Sequence, residues 1–163
     1  MSRVSKIEIV QPPSDTENIP AYFNQVLKTT KSKYCLFVSP HVLFYSAEME
    51  QMVDIFEEYP EVGCVYTDCT HDQENGVKNY VYYPTYTNSV LDSININTPF
   101  CCGTDLDIQF DESLKCLYYF DFLRKASSKC ILWHMPKKLF RIPRVDHKTT
   151  NEELQKLLNE QSH

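Results

Sequence analysis

The stretch KYCLFVSPHVLFYSAEMEQMVDIFEEYPEVGCVYT, Lys33–Thr67, decides the fold. Lys33–Val38 is an apolar run of aromatic and β-branched residues, which reads as a buried strand. Ser39, Pro40 and His41 follow at once, and Pro40 stops further ladder pairing because it has no amide hydrogen. Ser46 is placed to cap a helix on which Met49, Met52, Val53 and Phe56 share one face. Val62–Thr67 is a second apolar strand. Strand, tight turn, helix and strand make a βαβ crossover, which predicts that the two strands are parallel neighbours. Ligands of open α/β sheets gather at the carboxyl ends of strands, so Ser39–His41 is the first candidate site.

Working outward, Lys6–Val10 reads as a short alternating strand that ends at Pro12-Pro13. Asn18 caps a helix to about Lys28, with Ile19, Tyr22, Phe23, Val26 and Leu27 on one stripe and Pro20 tolerated in its first turn. Beyond the central unit, Asn75-Gly76 signals a turn into an edge-like strand rich in tyrosine. Pro84–Thr98 is ambiguous: Val90, Leu91 and Ile94 fit one helical turn or a covering loop. Pro99–Cys102 and the alternating run Asp105–Phe110 read as strands, and a helix opens at Asp111 or Ser113 and ends near Ala126. Lys129–His134 is the last strand, RIPRVDH a basic loop, and Thr150-Asn151-Glu152-Glu153 a capping box that starts a C-terminal helix. Helices and strands alternate first and mix later, so the class is α/β with a mixed sheet. The expected organisation is a domain over residues 1–148 and a helix over 149–163 that packs on it or on a partner.

Composition sets the outer limits. The chain has 163 residues, a hydrophobic content of 42% and only 3 glycines, which together suit one folded domain with a sizeable core. Net charge is −6, so no general attraction to nucleic acid or to an anionic membrane is expected. No run of residues approaches the roughly 20 apolar positions of a membrane span, and the first residues lack the apolar core of a signal peptide. Seven cysteines, an odd number, read as reduced thiols of a cytoplasm-like compartment.

Several constellations carry a chemical reading beside a structural one. His41 is a candidate ligand or acid–base group by its strand-end position, or a surface turn residue. Asp68, His71 and Asp72 follow a strand end and suit either a cation or a solvated loop. Cys64, Cys69, His71, Cys130 and His134 lack the spacing of a structural zinc site, so buried thiol packing is the default. Lys137, Lys138, Arg141, Arg144, His147 and Lys148 form a basic stretch, either solvated or contacting phosphate or a partner. Tyr80, Tyr82, Tyr83 and Tyr86 offer interface or glycan-stacking surface, or ordinary sheet packing.

The run YCLFVSPHVLFYSAEMEQMVDIFEEYPEVGCVYTD resembles the middle of a family 2 glycosyltransferase of the GT-A fold, where a strand ends in an Asp-x-Asp motif before a helix and a Val-Gly strand. FDESLKCLYYFDFLRKASSKCILWHMPKKLFRI is similar to the end of that family, and RIPRVDHKTT to its Arg…His…Ser/Thr closing segment. The resemblance covers most of Pro20 to Thr150. It implies a compact, Rossmann-related three-layer domain with a mixed central sheet.

The departures are chemical. The Asp-x-Asp carboxylates grip a divalent cation on the nucleotide-sugar diphosphate, and here that position reads Ser39-Pro40-His41. A hydroxyl and an imidazole suit Mg²⁺ poorly and Mn²⁺ only weakly. Where the family places its base, this chain has Tyr118-Tyr119 and keeps Asp121. Much of the family's N-terminal nucleotide-binding half has no counterpart, since Lys6–Val10 supplies one preceding strand. These losses favour a glycosyltransferase relative without autonomous activity, acting as a binding or structural subunit of a larger assembly, with a protein partner or a second copy. The compact form and scarce glycine fit a viral gene, hence host cytoplasm or virion. The alternative is an active transferase using a nucleotide sugar. The resemblance then implies His41 near the diphosphate, Asp121 as base, and Ser39, Arg141, Arg144 and His147 on donor phosphate. No metal is expected otherwise; Mn²⁺ or Mg²⁺ belongs to the transferase alternative, with His41 and Asp68 as weak ligands.

Overall fold

The computed structural model describes residues 6–72, 77–85, 96–143 and 147–161. The turn expected at Asn75-Gly76, the residues Tyr86, Val90, Leu91 and Ile94, and Arg144 lie outside them. The described elements, in chain order, are β1 (Ile7–Val10), α1 (Ile19–Thr29), β2 (Tyr34–Phe37), β3 (Leu43–Phe44), α2 (Met49–Glu58), β4 (Val62–Asp72), β5 (Lys78–Val81), β6 (Phe100–Gly103), α3 (Tyr118–Ala126), β7 (Ile131–Ile142) and α4 (His147–Gln161). The class is mixed α/β, as expected.

The strands form one sheet in the order β1-β2-β6-β4-β7-β3, with β5 paired to β4. β1 runs parallel to β2, and β4 parallel to β7, while β6 is antiparallel to both β2 and β4. This corrects one expectation: β2 and β4 point the same way but are not neighbours, because β6 stands between them. A crossover helix fixes direction and hand, not adjacency. β6, the run FCCG, is buried at every residue and uncharged, so it satisfies two strands at once in the sheet centre.

The layers follow from strand alternation. Phe37 and Phe100 are opposite each other in the β2–β6 ladder, so both project to one face. There Phe23 of α1 meets Phe37 at 5.0 Å, Phe122 of α3 meets Phe100 at 5.1 Å, and Phe110 bridges to Phe122 at 4.4 Å. On the other face Tyr34 stacks on Phe56 of α2 at 4.5 Å, and Met49, Met52 and Val53 are fully buried beside it. The result is helix, sheet, helix. Each aromatic pair adds about 0.5–1.5 kcal/mol beyond its buried area.

Asn18 caps α1 as read, its side chain accepting the Ala21 amide hydrogen at 2.9 Å, with proline in the first turn. Ser46 does not cap α2; it opens a 3-10 turn, Ser46–Glu48, that leads into the helix. Asp105–Phe110 is not a strand. Its residues alternate in burial, but Asp107 takes a left-handed φ of 55° and Lys129 Nζ reaches the Asp107 carbonyl at 2.9 Å. The carboxamide of buried Asn24 pairs with both backbone groups of Phe110, accepting its amide hydrogen at 2.7 Å and donating to its carbonyl at 2.8 Å. One side chain thus replaces a partner strand.

The helix expected from Asp111 or Ser113 begins only at Tyr118, because the Asp111 carboxylate folds the chain into a local turn by accepting from Ser113. β7 runs well past His134 to Ile142, so much of the presumed basic loop is strand. Pro136 is accommodated where the register jumps from Thr67–Met135 to Asp68–Lys138, a bulge that needs no proline amide. α4 starts at His147, one turn before the expected capping box.

Candidate binding site

The carboxyl end of β2 runs directly into a tight turn. Val42 donates its amide hydrogen to the Ser39 carbonyl at 3.3 Å, Pro40 takes the first corner and His41 the second at a φ of 68°. Proline followed by a left-handed residue is the type II pattern. Gln11 braces the turn from β1, donating to the carbonyls of Ser39 at 3.1 Å and Val42 at 2.9 Å.

This turn presents Ser39 inward and leaves His41 exposed. Ser39 Oγ lies 2.6 Å from the Tyr118 hydroxyl and 2.8 Å from the Tyr119 hydroxyl, at the first turn of α3. The three residues line a pocket of about 210 Å³, together with His71, Asn97 and Lys115 among others. Burial pushes the Tyr118 phenol up to about 12 and the Tyr119 phenol well above its ordinary value, the latter helped by Tyr118 beside it. Both are therefore neutral hydroxyls at physiological pH, able to donate and accept hydrogen bonds.

The sequence candidates scatter around this centre. Ser39 is in it; His41 is on the turn but not among the pocket-lining side chains. Asp121 faces the core, fully buried, and is ion-paired at 2.8 Å to Arg124 and at 2.8 Å to Lys125. Asp68 is 4% exposed, accepts the Tyr83 amide hydrogen at 2.8 Å and lies 2.7 Å from His134 Nε2. Arg141 is ion-paired to Asp72 at 3.0 Å and does not line the pocket. Arg144 is outside the described residues, and of His147 only the backbone, in the first turn of α4, is described.

Sequence reading missed Asn97, Lys115 and Cys116 as pocket walls, because nothing in the local pattern links them to Ser39. It also missed the pairing of Asp68 with His134, which depends on the parallel register of β4 and β7.

The divalent cation that the sequence resemblance associates with this strand end does not fit these residues. Neutral hydroxyls and one exposed imidazole offer no pair of hard anionic oxygens. Among the described residues no group of three or more His, Cys, Asp or Glu side chains is placed to hold a metal. No helix is long and apolar enough to cross a membrane.

The sequence matches no protein-family model and no curated protein. Solved structures do match. TarS 1–349 of S. aureus superposes with a TM-score of 0.61 and 16% identity over 83% of this chain and 43% of that one. The same protein in complex with UDP-GlcNAc gives 0.63 and 15% over 88% and 44%. The chain thus spans less than half the length of these neighbours. TarS is a GT-A-type glycosyltransferase, and what the likeness establishes for this chain is the fold: a distant, GT-A-like, Rossmann-related α/β domain.

Proposed function

We propose that this chain is a glycosyltransferase-like binding domain. It takes a hydroxyl-rich ligand of the nucleotide-sugar class in the pocket at the end of β2, has no autonomous transferase activity, and works as a binding or structural subunit beside a protein partner. The observation that carries this reading is the convergence of Ser39 with Tyr118 and Tyr119. Where the family resemblance calls for metal-binding carboxylates and a base, the chain offers three neutral hydroxyls. Such groups hydrogen-bond to sugar hydroxyls but neither hold Mg²⁺ nor abstract a proton near neutral pH. The carboxylate nearest them on α3, Asp121, is occupied by two cations. TarS in complex with UDP-GlcNAc supports the ligand class, as an inference from the shared fold.

The test is a thermal-shift titration with nucleotide diphosphates and nucleotide sugars, with and without Mn²⁺, paired with an assay for released nucleotide. A ligand at 100-fold over its dissociation constant stabilises the native state by about 2.7 kcal/mol. The expected result is a shift that does not need Mn²⁺ and no nucleotide release. Silence across a saturating panel overturns the ligand; Mn²⁺-dependent turnover overturns the loss of activity. Turnover would revive the transferase alternative, in which Asp121 is the base, His41 lies near the diphosphate and Ser39, Arg141, Arg144 and His147 hold the donor phosphate.

A further inference from the structure

The turn that carries Tyr118 and Tyr119 into the pocket is held by a side chain distant in sequence. Leu117, at the start of α3, has no side-chain cap. Amide hydrogens at a helix start and in the turn before it need acceptors. Glu153 of α4 supplies one for the N-cap residue and for the two residues before it, from 36 residues away: its carboxylate accepts from the amides of Leu117 at 2.9 Å, Cys116 at 2.8 Å and Lys115 at 2.5 Å. Further side chains seat the helix: Lys156 Nζ reaches Ser113 Oγ at 3.3 Å, Leu157 is 2% exposed and Leu154 packs against the core. A second clasp comes from Asn97, which donates to the Cys116 carbonyl at 3.1 Å and accepts from the Phe120 amide at 3.3 Å.

The same C-terminal stretch bears on the pocket in two ways. Ile142 and Pro143, where β7 ends, form part of its lining, and α4 holds the turn whose Lys115 and Cys116 also line it. A chain that lines the pocket and grips another of its lining segments couples the position of its helix to the shape of the site.

We infer that α4 is a strap that sets the binding pocket, with Glu153 as the positioning residue that holds the Lys115–Leu117 turn and so the two phenols of α3. The role in ligand binding rests on the function proposed above; the clamp itself does not. With α4 docked, Tyr118 and Tyr119 are fixed against Ser39. With α4 released, the three amides lose their acceptor, the first turn of α3 loosens and the hydroxyl cluster disperses. Ligand in the pocket and α4 on the domain favour each other, as two events that order the same turn must.

The experiment is amide hydrogen exchange on the full chain, for wild type, Glu153→Ala, Glu153→Gln and the exposed control Gln155→Ala. In Glu153→Ala, exchange at Lys115–Leu117 rises by at least about tenfold while β2, β4 and β6 keep their protection. Glu153→Gln, which retains one acceptor oxygen, falls between. Unchanged protection at Lys115–Leu117 overturns the strap, and so does an equal acceleration throughout the sheet, which would mark a purely global loss of stability. A second arm titrates UDP-GlcNAc: it slows exchange in α4 of wild type and binds Glu153→Ala at least about tenfold more weakly. If UDP-GlcNAc does not bind wild type, that ligand fails while the exchange arm still decides the clamp. If it binds both proteins equally, the coupling is wrong.

Discussion

Ser39 Oγ lies 2.8 Å from the phenol oxygen of Tyr119, a residue 80 positions later in the chain. The contact joins the end of a central strand to the first turn of the helix that covers it. The Tyr119 phenol is also hydrogen-bonded to the Ser39 backbone, and the Tyr118 ring packs beside it at 4.8 Å. Removing the serine hydroxyl therefore takes away one of its hydrogen bonds and leaves another. Ser39→Ala should lower stability by about 0.5–1.5 kcal/mol, the net worth of one hydrogen bond. Urea denaturation of Ser39→Ala, Tyr119→Phe and the double variant checks this: the double variant should cost less than the two single losses added together, because it removes both ends of one contact. Strict additivity would mean that the hydroxyls do not interact in solution.

Asp121 offers a sharper separation of structure from chemistry. Its carboxylate is fully buried, but both cations that pair with it reach partly into solvent. Asp121→Asn keeps the shape and removes the charge, so it should destabilise by about 1.5–3 kcal/mol, the range for hydrogen bonds to charged groups. The dissociation constant of any ligand found for the pocket should be unchanged within about twofold. A large loss of ligand affinity at unchanged stability would move Asp121 from the core into the site.

These two residues also mark what the sequence could reveal. Apolar periodicity located β2, α1, α2 and β4, since each buries a continuous face, and Ser39, at the strand end where the sequence points to a site, lines a pocket. Local pattern cannot reveal partners supplied from far away. Asn24 gives the run ending at Phe110 the pairing of a strand without a strand. The alternation of Leu106, Ile108 and Phe110 is genuine, yet it reports burial, not a ladder. The strand expected over Lys129–His134 runs on to Ile142, past Pro136, for which the bulge opposite Thr67 and Asp68 makes room. Glu153 read as half of a local capping box, whereas it caps a different helix.

Gly63 tests the packing of the sheet against the start of β7. A Cβ added there would stand 2.3 Å from Cys130 Sγ and 2.9 Å from Leu106 Cδ2. The Cys130 Cβ would be 2.6 Å away as well, and no rotation of that side chain moves it. Gly63→Ala should therefore cost about 1–3 kcal/mol by overpacking, despite the gain in backbone stiffness that alanine usually brings. Thermal unfolding would show it as a drop of several degrees for a domain of this size. An unchanged or higher melting temperature would mean that β4 and β7 are farther apart than described.

The cysteines and tyrosines of the core make stability depend on pH on the alkaline side. Burial raises the thiols of Cys35 and Cys69 from 9.0 to about 11, and the Tyr118 phenol from 10.0 to about 12. Each group holds its proton more tightly folded than unfolded, so its contribution is complete below the unfolded value and is lost as pH rises through the folded one. Stability should thus be insensitive to these groups from neutrality to about pH 9, then fall between about pH 9 and 11 as the thiols of the unfolded chain ionise, and continue to fall towards about pH 12 with the phenol. Urea midpoints measured under reducing conditions at intervals across that range check the direction. Cys69→Ala, compared with wild type at each pH, isolates one thiol: its cost relative to wild type should be largest at neutral pH and shrink above about pH 9. A cost that stays constant to pH 11 would mean that the Cys69 thiol is not held protonated by the fold.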